Sequence, residues 1–269
     1  MSSINQTLIA LFFAFFGGII PALVWLFFWN QEKRERPEPK TAIFLAFCGG
    51  MAAVFISIFL EHYFYNLDPN ILFHGSFLQH ILSWFQYIVP TGQTLQFILL
   101  TVVFAPIIEE LLKFIAAYIL VLRGSDDREP IDPMIYMITS ALGFAAIENM
   151  LFILQALMCT STTNCPTIAN YWTLSAVIGD QRFIGAMLLH TVSSATIGIF
   201  LGFNLFDKKL EKAFWIIIGL ISAILIHSLF NYFMIVNTNY FFVLEVIWIV
   251  VIIVLLAFEK IKRVRLEKI

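Results

Sequence analysis

The chain alternates between long apolar runs and short polar connections. Seven runs stand out, near Leu8–Trp29, Ala42–Leu60, Leu95–Leu122, Met134–Met158, Phe183–Phe206, Ala213–Val236 and Tyr240–Phe258. Each is about 20 residues or somewhat longer, enough to cross the roughly 30 Å of hydrocarbon in a bilayer. A backbone in hydrocarbon must satisfy its own hydrogen bonds, so these runs are predicted to be helices. The expected fold is all-α: a polytopic membrane helix bundle of about seven transmembrane helices. No internal repeat, low-complexity tract or long linker marks a second domain, so residues 1–269 are read as a single integral-membrane domain. The first run has no Lys or Arg before it, is too long for a signal h-region and lacks a small-x-small cleavage site, so it is expected to remain as a helix.

Composition sharpens this picture, with 60% hydrophobic residues and only 13% charged. The net charge of −2, with basic residues confined to short loops beside the spans, excludes a nucleic-acid reader. Where the charges fall is more informative. Lys33, Arg34, Arg36 and Lys40 occupy the first loop, Arg123 and Arg128 the third, Lys208, Lys209 and Lys212 the fifth, and Lys260, Lys262, Arg263, Arg265 and Lys268 the tail. Those are fourteen of the sixteen basic residues, the others being Lys113 and Arg182. The positive-inside rule then puts the amino terminus outside and the carboxyl terminus in the cytoplasm.

Two external loops carry further signals. In the second, Phe77, Leu78, Ile81, Leu82, Phe85 and Ile88 fall on one helical face, opposite Gln79, His80, Ser83 and Gln86. That pattern suits an amphipathic helix on the outer surface, admitting or guiding a substrate, or a loop packed on the bundle. The fourth loop contains Cys159 and Cys165, where oxidising conditions permit a disulfide. Cys48, inside the second run, reads as a small core residue.

The chemistry is concentrated in ionisable residues at bilayer depth. A charge there costs at least about 2.5–3.5 kcal/mol on insertion scales, so such residues imply partners, water and function. The run Phe104–Lys113 reads FAPIIEELLK and holds Glu109, Glu110 and Lys113. Lys113 lies four and three residues after the glutamates, close enough on a helix to neutralise part of their charge. Pro106 cannot donate a backbone hydrogen bond and is expected to kink the helix, opening room beside the carboxylates. The next three runs carry Glu148 beside Asn149, then His190, then His227. Counted inward from the span ends, these groups fall near one layer. Small residues recur every four positions around the histidines, at Ala186, Ser194, Gly198 and Gly202 and at Gly219 and Ala223, followed by Asn231. Such stripes let helices approach closely and turn both imidazoles toward the bundle interior.

Two carboxylates and two imidazoles, Glu109, Glu110, His190 and His227, can activate water and stabilise an oxyanion, with Lys113, Glu148, Asn149 and Asn231 in support. Alternatively, Glu148, His190 and His227 form a candidate set for a divalent metal, zinc by donor type, leaving Glu109 or Glu110 as base. No H-E-x-x-H motif is present, and nothing marks Ser193 or Ser194 as an activated nucleophile.

EELLK at 109–113 resembles the EExxK signature of the PrsW intramembrane proteases. GFAAIEN at 143–149 resembles their second motif, and His190 and His227 fit the remaining pattern over about residues 104–232, so the catalytic helices are expected within about 95–236. A wider similarity reaches the CAAX protease and bacteriocin-processing superfamily, since HSLFN at 227–231 is similar to an HxxxN motif. The chain departs from prenyl endoproteases at Lys113, where they carry Arg one position later, and at Ala186, where they carry Phe, which favours PrsW. The resemblance implies a glutamate-dependent endopeptidase, described as a metalloprotease, in a bacterial plasma membrane. Its partners are then the lipid bilayer and single-span membrane proteins, in a setting such as regulated proteolysis; the depth of Glu148, His190 and His227, counted nearer the outer span ends, predicts cleavage in the substrate's outer third or the adjoining external stretch. The alternatives are a non-catalytic multipass scaffold, which would lack the glutamate pair, and a proton- or ion-coupled transporter, which would commonly show an internal repeat.

Overall fold

The computed structural model describes residues 3–33, 37–66, 90, 92–123, 129–157, 182–236 and 239–267. Regular structure among them is helical throughout. Helix α1 spans Ser3–Asn30 and α2 Lys40–Tyr65. Next comes an unbroken helical run that begins with a single turn, α3, Leu95–Ile98, passes through a π-helical segment, Leu99–Phe104, continues as α4, Ala105–Ala117, and ends in a second π segment, Tyr118–Leu122. Then follow α5, Asp132–Leu157, a π turn Arg182–Ala186 leading into α6, Met187–Phe203, and finally α7, Lys209–Val236, and α8, Tyr240–Glu267.

Among the described residues six helical stretches are long and apolar enough to cross a membrane, those of α1, α2, α5, α6, α7 and α8. The remaining expected run, Leu95–Leu122, is helical along its length but changes register twice. No single α-helix within it reaches span length. The amphipathic segment proposed for the second loop and the Cys159–Cys165 pair lie outside the described residues.

Helices α5 and α6 form the centre, and almost every residue of α5 from Asp132 to Ile147 is buried. The outer helices turn large apolar side chains outward, among them Phe27, Phe44, Phe59, Leu210, Phe241 and Leu256. In water that would be an untenable apolar surface, whereas lipid solvates it. Glycine sets the closest crossing. A Cβ on Gly50 would fall 1.9 Å from the Ser140 carbonyl oxygen, and one on Gly143 2.0 Å from that of Phe47. The α2–α5 contact is therefore backbone against backbone, and any side chain at either position would force the helices apart. The small-residue stripe of α6 works similarly, Gly198 meeting Met134 and Gly202 meeting the Pro130 carbonyl. Both histidines consequently face inward, as the sequence pattern implies.

The expected kink at Pro106 takes a specific form. In the π segment the Ala105 N–H bonds the Leu100 carbonyl, five residues back. The same register would give Thr101 the N–H of residue 106, which proline lacks. Asn231 of α7 supplies the missing donor, its Nδ2 lying 2.9 Å from the Thr101 carbonyl oxygen. A half-buried carbonyl is thus satisfied by a neighbouring helix, and the register change persists at small cost.

Candidate active site

The polar residues singled out on four successive runs meet in one buried cluster. Helix α4 contributes Glu109, Glu110 and Lys113, α6 contributes His190, Ser193 and Ser194, α7 contributes His227, and α5 contributes Glu148. Glu110, Lys113 and both histidines have at most 2% of their surface exposed, and Glu109 has 7%.

The adjacent glutamates are treated very differently. Glu110 is held by four donors: Lys113 Nζ at 2.8 Å and His227 Nδ1 at 2.9 Å reach its Oε1, as does Ser193 Oγ at 2.9 Å, while Ser194 Oγ meets Oε2 at 2.9 Å. A carboxylate accepts about four hydrogen bonds, so Glu110 has little capacity left for a ligand. Glu109 Oε2, by contrast, is buried without a hydrogen bond. It lies 3.4 Å from Lys113 Nζ, 3.7 Å from His190 Nδ1 and 3.9 Å from His227 Nε2.

These contacts also fix the tautomers. Lys113 Nζ donates to His190 Nδ1 at 2.8 Å, so a neutral His190 carries its proton on Nε2 and gives it to Glu148 Oε2 at 2.7 Å. His227 donates from Nδ1 to Glu110, which leaves the Nε2 lone pair on the Glu109 side. Lys113 also sits over the Phe144 ring, 4.6 Å from its centroid, a contact that helps to compensate a buried ammonium.

A cavity of about 510 Å³ opens beside this cluster. Glu109, Glu148, His190, His227 and Asn231 line it, whereas Glu110, Lys113 and Asn149 do not. The sequence reading grouped Glu148 with the histidines as a metal set. The group whose ligating atoms come within 4.8 Å of one another, among the described residues, is instead Glu109, His190 and His227. Those donors fit a divalent cation, since the uncommitted Glu109 Oε2 and the free His227 Nε2 converge, although His190 would have to exchange one existing hydrogen bond.

Two features were not assigned a role from sequence. Ser193 and Ser194, not considered as hydrogen-bond donors, donate to Glu110, and the place of Ser194 on the small-residue stripe one turn after His190 was the available signal. Glu61, read as an interfacial residue at the end of its run, lines the cavity and accepts a hydrogen bond from Ser57 Oγ. The i,i+4 spacing of that Ser-Glu pair within an apolar run could have drawn attention to it.

Residues 38–257 match the model of a family described as PrsW family intramembrane metalloprotease. Protease PrsW of Clostridioides difficile (strain 630) is 21% identical over 239 residues, covering 88% of this chain and 86% of that protein. Protease PrsW of Bacillus subtilis (strain 168) is 20% identical over 229 residues, 84% of each chain. The Halalkalibacterium halodurans Protease PrsW is 25% identical over 136 residues, 49% of this chain and 53% of that one. No solved structure matches the chain.

Proposed function

Because the chain belongs to the PrsW family of intramembrane proteases, we propose that it hydrolyses peptide bonds of single-span membrane proteins with water activated at Glu109. One observation carries the assignment to that glutamate. Glu109 Oε2 is buried, lacks a hydrogen bond and borders the cavity beside His190 and His227, while Glu110 is fully engaged.

Glu109 accepts the proton of the attacking water and can return it to the leaving amine. Lys113, 3.4 Å away, holds that carboxylate in place and offsets its charge. Glu110 fixes the His227 tautomer, and Glu148 fixes that of His190. A protonated His227, whose Nε2 faces the Glu109 side of the cavity, could donate to the developing oxyanion. In the alternative, metal-bound form Glu109 would be a ligand and not the base: with His190 and His227 it would hold a metal ion, zinc by donor chemistry, which when bound would supply Lewis acidity to water and to the carbonyl. Charge supports that reading, because the ionised cluster sets three carboxylates, Glu109, Glu110 and Glu148, against the single ammonium of Lys113. A divalent cation would balance it.

The family likeness supports a bacterial plasma-membrane protein, and the basic loops support an amino terminus outside and a carboxyl terminus in the cytoplasm. In that orientation the cavity lies toward the outer ends of α2 and α5, through Glu61 and Gln155. A helical substrate must unwind to expose its amide, most readily near a span end, so cleavage falls in the outer third or just outside it. A role in regulated proteolysis follows from the same family likeness.

The test is to incubate the purified chain in liposomes with tagged single-span substrates, alongside Glu109→Gln, with metal analysis of the same preparation and mass spectrometry of the products. Cleavage that survives Glu109→Gln would overturn the assignment, and cuts in the cytoplasmic third would overturn the topology argument.

A further inference from the structure

The cavity is lined unevenly in charge. Glu61, Glu109 and Glu148 border it together with two imidazoles, and among the described residues no Lys or Arg does. Glu109 has Lys113 at 3.4 Å, and Glu148 is engaged by His190. Glu61 differs from both. Among the described residues it forms no ion pair, and its hydrogen bond comes from Ser57 Oγ, a neutral group one turn back on α2 that is only 1% exposed. The surrounding walls include Val54, Ile58, Phe97 and Leu151, so water can solvate this carboxylate only in part. A half-buried carboxylate in such surroundings is best stabilised by a cation. The buried Glu109 Oε2, bordering the same space without a hydrogen bond, is a second sign that the cavity receives a ligand bearing donors.

We propose that Glu61 is a specificity residue, receiving the ammonium or guanidinium of a substrate Lys or Arg close to the scissile bond. This rests on the protease reading and names its substrate class. Helices α2 and α5 run in the same direction through their glycine crossing, and Glu61 lies further beyond Gly50 than Glu148 lies beyond Gly143. At about 1.5 Å per residue, Glu61 is roughly 5–10 Å nearer the helix ends than the catalytic cluster. An unwound peptide covers that distance in about two or three residues. The basic side chain therefore belongs about two or three residues from the cut, at the level where a span meets the interface and long basic side chains reach water.

The experiment uses the full chain in liposomes and three single-span reporters that carry Lys, Gln or Glu two and three residues outside the cleavage point. The wild type should cleave the Lys reporter about tenfold or more faster than the Gln reporter in kcat/KM, the range expected of one charge-assisted hydrogen bond in a partly dry site. Glu61→Gln should bring Lys and Gln reporters within about twofold of each other, and Glu61→Lys should favour the Glu reporter. A second measurement is photo-crosslinked binding of the same peptides to Glu109→Gln protein, with and without Glu61→Gln, which needs no turnover. A Glu61-dependent preference in binding without cleavage would retain the subsite and refute the protease reading. A Lys-to-Gln ratio near one, or one unaltered by Glu61→Gln, would overturn the subsite while cleavage itself continues.

Discussion

Among the described residues two buried ionic clusters stand in contrast: one is closed on itself, and the other, in the proposed reading, is the reactive site. Just before and at the start of α2 and α5, Lys33 bonds both Glu38 and Asp132 and lies 3.7 Å from Glu129, Tyr136 donates to Glu38, and the Glu129 N–H meets Asp132 Oδ2 at 2.8 Å. No cavity residue belongs to this group. It ties the first loop to the beginning of the central helix. The other cluster, around Glu109, has comparable charges but leaves one buried oxygen without a hydrogen bond, next to open space. A fully satisfied network rigidifies, whereas an unsatisfied buried carboxylate costs stability and is kept where chemistry requires it.

The strongest way to break the comparison is to neutralise each glutamate of the pair. Glu109→Gln should abolish measurable proteolysis, a loss of about 10²–10⁴-fold or more, with thermal stability nearly unchanged, because a neutral amide keeps the shape and cannot accept water's proton. Glu110→Gln should abolish activity and also destabilise by about 3–5 kcal/mol, since it leaves the Lys113 ammonium buried without its main counter-charge. Paired activity assays and melting curves distinguish the two. If both variants melt alike, the contrast between an open and an engaged carboxylate fails.

Next come the imidazoles. His190→Ala and His227→Ala should each lower kcat/KM by about 10²-fold or more. A strong chelator refines this result: loss of activity on metal removal, restored by zinc, supports ligation by Glu109, His190 and His227, while undiminished activity in metal-free protein leaves Glu109 acting alone.

The clamp should show the reverse behaviour. Glu38→Gln is expected to cost about 1–3 kcal/mol of stability and little activity, measured by unfolding and by cleavage under the same conditions. Burial pushes the Glu38 carboxyl up, but the Asp132, Lys33 and Tyr136 groups bonded to it prevail and hold it below 4.5, the ordinary glutamate value. A depressed folded value means that its stabilisation is complete above the unfolded value and disappears as pH falls through the folded one. The difference in Tm between wild type and Glu38→Gln should therefore shrink as pH falls below about 4.5. A gap that widens on acidification would reverse the sign of this argument.

The smallest effect is expected at Asn231→Ala. Removing the donor to the Thr101 carbonyl should cost about 1 kcal/mol and lower activity several-fold, with faster hydrogen exchange confined to Leu99–Phe104. Exchange unchanged there would show that the π register does not depend on this bond.

Much of the molecule was legible before folding. The apolar runs gave the helices, because a membrane leaves the backbone no other way to satisfy itself, and the structure keeps most of them within about five residues of their expected ends, the last helix running on past Phe258 to Glu267. Glu109, Glu110, Glu148, His190 and His227 stood out because each is expensive in hydrocarbon, and all of them come together. Glu61 did not stand out, since it sits near the end of its run, where a charge costs little. Ser193 and Ser194 were invisible as carboxylate donors because a hydroxyl in a membrane helix can always return its proton to its own backbone.

Tertiary structure alone decided which glutamate is open. Glu109 and Glu110 are neighbours in sequence, both within reach of Lys113, and no local pattern distinguishes them. On a helix they point about 100° apart, so the rotation of α4 against α6 and α7 sets their fates. It turns Glu110 onto Ser193, Ser194 and His227 and leaves Glu109 facing the cavity. That rotation comes from side-chain packing and close backbone approach between helices far apart in sequence, which periodicity along one helix cannot encode.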